Sequence, residues 1–160
     1  MNRVEISAGE APLPQWSSSL KNFARKVLAR LGRDQWDLSV LLCGDQTISD
    51  LNLRYRGKAE ATDILSFNMD EGGEGGGPCG ALPRGCFMLG DIAISLDTLK
   101  ENARRFKTSE DEELRRLMIH GILHLDGMDH KSNKKAEPML LLQEQILAEL
   151  AGESIMGRNV

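Results

Sequence analysis

Ser109-Glu-Asp-Glu-Glu-Leu-Arg-Arg-Leu-Met-Ile-His-Gly-Ile-Leu-His-Leu-Asp-Gly-Met-Asp-His130 decides how the rest of the chain must be arranged. Leu114, Leu117, Met118, Gly121 and Ile122 recur at three- and four-residue steps, so residues 110–125 read as a helix with one face that needs cover. Ser109 followed by Glu112 is a capping-box signature. Glu110, Asp111, Glu112 and Glu113 then face the positive end of the helix dipole, which accounts for that acidic cluster without any function. His120 and His124 stand four apart and project from one face about a turn apart. Gly127 lets the chain leave the helix in a left-handed turn, which can carry His130 back toward them. These three are the only histidines in the chain. Three neutral imidazoles meeting at one point make a zinc-type site whose fourth position stays open, as in a catalytic rather than a structural centre.

The spacing is similar to the longer zinc-peptidase pattern H-E-x-x-H-x-x-G-x-x-H at its histidines and glycine, so the helix is metzincin-like. It departs at Gly121, where the peptidases carry the glutamate that takes a proton from metal-bound water. A similar metal cradle with different chemistry is therefore expected. Asp126 and Asp129 lie inside the motif. Either orients a ligand histidine, or both serve turn and cap chemistry; the sequence supports both readings.

At 160 residues the chain suits one domain, 1–160, with a core of its own. Hydrophobic residues at 41% and charged residues at 28% are ordinary for a soluble globular protein. No apolar run approaches the roughly 20 residues that span a bilayer, and Met1-Asn-Arg-Val-Glu-Ile6 lacks a signal pattern. A cytoplasmic protein with no membrane partner is expected. Cys43, Cys79 and Cys86 are an odd count without C-x-x-C spacing, which suits a reducing compartment. Cys43 ends an apolar run and reads as a buried thiol; Cys79 and Cys86 are not expected to bind metal. The net charge of −4 argues mildly against a nucleic-acid partner. What matters more is whether basic groups share a face, and the candidates are Arg54, Arg56 and Lys58, then Lys100, Arg104 and Arg105, then Arg115 and Arg116.

Along the chain, Val4–Ile6 reads as a short strand, and Ser17–Leu31 as a helix closed by Gly32. Asp37–Cys43 reads as a buried strand, and Thr47–Arg56 as a helix with Ile48, Leu51 and Tyr55 inward. Thr62–Asn68 and Phe87–Ile94 read as strands. Between them, residues 70–85 hold seven glycines, so a flexible loop within one sheet is expected. Ser95 starts a helix to about Phe106. A last helix, Ala136–Leu150, carries Leu140, Leu141, Ile146, Leu147 and Leu150. Helices precede, separate and follow the strands. The fold class is α/β (α+β): a small mixed sheet of about four strands packed with about five helices. The histidine helix should lie on one face of the sheet near an edge strand.

Four ordered blocks carry a family likeness: Leu51-Asn-Leu-Arg-Tyr-Arg-Gly-Lys58, Thr62-Asp-Ile-Leu-Ser-Phe67, Leu89-Gly-Asp-Ile-Ala-Ile-Ser95 and the His120–His130 motif. Through them, over roughly residues 40 to 131, the chain resembles the YbeY family of metal-dependent endoribonucleases, the rRNA maturation factors. Two departures are the glycine-rich insertion at 70–85, longer than usual, and Asn68 where the family usually has proline. The resemblance implies one zinc-type ion on His120, His124 and His130, with nickel, copper or iron also suited to imidazole ligands. It implies cleavage of single-stranded RNA, maturation of 16S rRNA ends, ribosome quality control, and the small ribosomal subunit with its assembly factors as partners. It places Arg56 where the family has a functionally important arginine.

On that reading the ion polarises the scissile phosphate, activates water, or both, and the Arg56 fork neutralises phosphate charge. No general base is identifiable; Asp63, Ser66 and Asp91 lie in the matching blocks without a spacing argument for a role. Bound hydroxide or the RNA's own 2′-hydroxyl is the expected nucleophile. Two other classes stand beside this one: a metallohydrolase of another substrate class, and a ribosome-assembly factor whose metal is mainly structural.

Overall fold

The computed structural model describes residues 1–68 and 87–157, with backbone alone at 87–89. Four strands and five helices follow one another among these residues: β1 (Arg3–Ala8), α1 (Ser17–Arg30), β2 (Trp36–Cys43), α2 (Asp45–Arg56), β3 (Ile64–Asn68), β4 (Phe87–Ser95), α3 (Leu96–Arg105), α4 (Glu110–Leu125) and α5 (Pro138–Glu149). The strands form one mixed sheet in the order β1-β2-β4-β3. β1 and β4 run parallel to β2, and β3 closes the edge antiparallel to β4. The α/β expectation, with about four strands and five helices, holds. The strands on either side of the glycine-rich segment pair antiparallel, Ile64 opposite Ile94 and Asn68 opposite Gly90. The segment itself, the expected loop at 70–85 with Cys79 and Cys86, lies outside the described residues.

Strand alternation divides the side chains between two faces. Leu38, Val40, Leu42, Ile92 and Ile94 pack against α1 and α4 in the larger core, with Val27, Leu28, Leu114, Met118 and Ile122. Leu65, Phe67, Ala93 and Cys43 face the other way and meet Ile48, Leu51 and Tyr55 of α2. The Cys43 thiol is buried, as expected, and its pKa is pushed up to about 11, chiefly by burial. The sheet is therefore covered on both faces, and α4 packs most heavily on the edge strand β3 among its strand contacts.

Two helix starts differ by two residues from the sequence expectation. α2 begins at Asp45 rather than Thr47, with Gly44 as its extended N-cap. α5 begins at Pro138 rather than Ala136, because proline suits the first helical turn, where its missing N–H is no loss. The phase of α5 also differs. Met139, Gln143, Ile146 and Leu147 are buried, while Leu141 is exposed. The run Met139-Leu-Leu-Leu142 offers an apolar residue at every step, so periodicity alone does not choose the inward side.

Candidate metal centre

α4 is long, capped at both ends and anchored by its apolar face. Ser109 Oγ accepts the Glu112 N–H at 3.0 Å. The reciprocal half of the expected capping box is not what Glu112 makes; its carboxylate engages the Thr108 hydroxyl and Arg116. At the far end Gly127 takes φ +96°. The Met128 N–H reaches the Leu123 carbonyl and the Gly127 N–H the His124 carbonyl, each at 3.0 Å. This is a Schellman closure, and it turns the chain back so that His130 faces the helix it has just left.

The three histidines converge as the spacing predicts. One ring nitrogen from each of His120, His124 and His130 lies within 4.8 Å of the others. The Nε2 atoms of His120 and His124 are 3.1 Å apart. Zinc–nitrogen bonds of about 2.0–2.1 Å put two ligands of a tetrahedral site roughly 3.3 Å apart, so this pair fits such an ion. The remote ring nitrogens of His120 and His130 are engaged. His130 Nδ1 donates to the Ser132 carbonyl at 2.9 Å, and His120 Nδ1 lies 2.6 Å from Gln143 Oε1. Both contacts leave Nε2 bare, the state a metal requires. Burial lowers the pKa of His120 and His124 below 6.5, and the Gln143 bond only partly offsets this at His120. Both imidazoles are thereby kept neutral, with lone pairs available, near neutral pH. The donor set fits a divalent transition metal.

Of the two aspartates inside the motif, Asp126 stands at the C-cap of α4 and Asp129 in the turn that follows. Asp126 pairs with Arg33 at 2.9 Å and takes no part in the cluster. Asp129 accepts the His130 N–H at 2.8 Å, which is turn chemistry, and lies 3.9 Å from His124 Nδ1. The side chain that reaches a histidine ring from outside the motif is Gln143, on a different helix. A buried glutamine on an otherwise apolar stripe is the one sequence signal that could have pointed to it.

A cleft of about 300 Å³ opens beside the cluster, lined by His120, His124, Leu125, Ile64, Leu65, Ser66, Asn68 and Arg56. Arg56 ends α2, on the opposite side of the edge strand. Its guanidinium stacks 5.0 Å from the Phe67 ring and donates to the Ser66 carbonyl at 2.7 Å. The edge strand thus brings the arginine and two histidines to one opening. Ser66 contributes to the cleft wall. Asp63 instead accepts from Asn102 at 3.1 Å, and Asp91 is buried within β4. Of the other basic candidates, Arg115 pairs with Asp111, Arg116 with Glu112, Glu113 and Glu144, and Arg104 with Glu101.

A mixed sheet with a capped helix that presents three convergent imidazoles beside an arginine-lined cleft defines a three-histidine α/β protein able to hold a metal ion. Comparison with known proteins narrows this. The family profile described as Endoribonuclease YbeY matches residues 5–151. The chain is 42% identical over 149 residues to Endoribonuclease YbeY of Treponema pallidum, spanning 93% of this chain and 90% of the relative. It is 45% identical over 154 residues to Endoribonuclease YbeY of Treponema denticola, spanning 92% and 93%. The solution structure of TM1509 from Thermotoga maritima superposes with a TM-score of 0.63 at 28% identity, covering 96% of this chain and 91% of that one. The chain belongs to the YbeY endoribonuclease family, enzymes that hydrolyse RNA.

Proposed function

We propose that residues 1–160 act as one metal-dependent, single-strand-specific endoribonuclease domain in the cytoplasm. It matures the 3′ end of 16S rRNA and serves ribosome quality control, in contact with the small ribosomal subunit and its assembly factors. The observation that carries the chemistry is the meeting of His120, His124 and Arg56 in one cleft, with His130 closing the histidine cluster.

His120, His124 and His130 would hold a zinc-type ion, which supplies Lewis-acid stabilisation of phosphate charge. The chain's own contribution is placement. α4 and the Gly127 turn fix the three imidazoles, and burial holds two of them neutral. Arg56, braced on Ser66 and Phe67, offers a planar fork of donors to a phosphate in the cleft. Gly121 carries no side chain to serve as a base, and the nucleophile is either water or the RNA's own 2′-hydroxyl.

The reading of the ion as catalytic rather than structural rests on the core. Leu114, Leu117, Met118, Ile119, Ile122 and Leu123 anchor α4 without help from the histidines, which sit partly exposed at the rim. The test is cleavage of a labelled single-stranded rRNA 3′-end fragment, with metal content measured on the same preparation. Wild type is expected to cut, His124→Ala to lose both metal and cutting, and Arg56→Ala to keep the metal and lose cutting. Equal cutting by wild type and His124→Ala would defeat the proposal.

A further inference from the structure

We infer that Gln143 is a positioning residue for His120: it selects the imidazole tautomer that leaves Nε2 bare, and it is itself oriented by Glu144 and Arg116. The inference rests on the metal-site reading above and adds a residue from outside the histidine motif. Gln143 lies on α5, 23 positions beyond His120, and is buried.

The tautomer argument is one of donors and acceptors. A glutamine side chain presents one accepting oxygen and one donating nitrogen, and it can turn over to exchange them. With Oε1 toward His120, Nδ1 must carry the proton and Nε2 is bare. With the amide nitrogen toward His120 the reverse holds, and the metal-facing nitrogen would be protonated. Glu144 breaks this symmetry. Its Oε2 lies 3.1 Å from Gln143 Nε2. A carboxylate only accepts, so the amide nitrogen is drawn to Glu144 and Oε1 is left for His120 at 2.6 Å.

Glu144 is itself held. Arg116 Nε donates to Oε2 at 3.0 Å and its Nη2 to Oε1 at 3.1 Å, a two-bond fork. Arg116 belongs to α4, one turn before His120, so the chain of contacts leaves α4, crosses α5 and returns to the same helix. Arg116 also lies 3.4 Å from Glu112 and 3.5 Å from Glu113. The helix pair thus closes a polar ring whose orientation ends at a single ring nitrogen. Partners of this kind typically change metal affinity 10- to 100-fold when removed.

Long-range proton–nitrogen correlation on metal-free protein reads the tautomer directly, and zinc competition with a chelator reads affinity. Wild type is expected to show His120 protonated at Nδ1. Gln143→Leu, close in size but unable to accept, is expected to lose that preference and to bind zinc 10- to 100-fold more weakly. The double variant Gln143→Glu/Glu144→Gln restores an acceptor toward His120 and keeps a donor between positions 143 and 144; it is expected to restore both the tautomer and zinc binding to within about threefold of wild type, a rescue that loss of packing alone would not give. If Gln143→Leu fails to fold, Gln143→Asn, which withdraws the same amide, is expected to show the same loss. Retention of the Nδ1 tautomer and of wild-type affinity in the Leu or Asn variant would overturn the inference. Wild type that binds no zinc would defeat the metal reading instead, while the tautomer in the metal-free variants still decides the role of Gln143.

Discussion

A Cβ atom on Gly121 would fall 2.8 Å from Cδ1 of Ile92 and 2.9 Å from Cδ1 of Ile64. The residue after the first histidine therefore points into the sheet, not toward the metal centre. Restoring the peptidase glutamate with Gly121→Glu would bury a carboxylate between two isoleucines instead of placing a base beside water. A loss of about 3 kcal/mol or more in urea unfolding is expected, with no gain of peptide cleavage, because a buried unpaired charge adds to overpacking. A stable Gly121→Glu protein that cleaves peptides would refute this account of the motif.

Much of this arrangement was legible in the chain because it is local. Histidine spacing, Gly127 and the apolar repeat of 114–122 all act within one helix and its exit turn. The contacts that complete the site are not local. Gln143 reaches His120 from the next helix, and Arg56 reaches the cleft from the other side of the sheet edge, so neither geometry is visible in spacing. Asp126 illustrates the converse. Its place inside the motif allowed a histidine partner or a cap role; it stands at the cap, and its carboxylate pairs with Arg33, far away in sequence. The inward side of α5 was hidden for a third reason: four consecutive apolar residues carry no phase.

Removing the ion should leave the fold in place. The buried side chains of α4 make the helix part of the main core, independent of the histidine cluster at its end. Chelated protein is expected to unfold cooperatively in thermal melts. Zinc at a hundredfold over its dissociation constant should then add about 2.7 kcal/mol of stability, an increment absent in His124→Ala. A chelated chain without a cooperative transition would instead identify a structural ion.

Asp111 ties the C-terminal segment to the start of α4. Its Oδ1 accepts the N–H groups of Ile155 and Met156, each at 2.7 Å, and its Oδ2 faces Arg115 Nε at 2.9 Å. Asp111→Ala strands these donors at a buried junction and should cost about 2–3 kcal/mol. Amide exchange at Ile155 should accelerate more than exchange in the β2–β4 pair. Unchanged protection at Ile155 would mean that Ile155 packing alone holds the segment.

Glu113 supplies a stability dependence on pH that runs against the usual carboxylate direction. It is buried, and burial pushes its carboxyl above the ordinary 4.5; Arg116 at 3.5 Å opposes this, while Asp63 and Glu112 add to it. A carboxyl whose folded pKa is raised binds its proton more tightly in the folded state. Its contribution to stability is fully present below about pH 4.5, the unfolded value, and is lost as pH rises through the folded value. Glu113→Gln keeps the shape and removes the titration, and Arg116 retains Glu112 and Glu144. The melting temperature of Glu113→Gln relative to wild type should therefore climb between pH 4 and pH 7. A difference that stays constant across that range would show that Arg116 fully compensates the burial of Glu113.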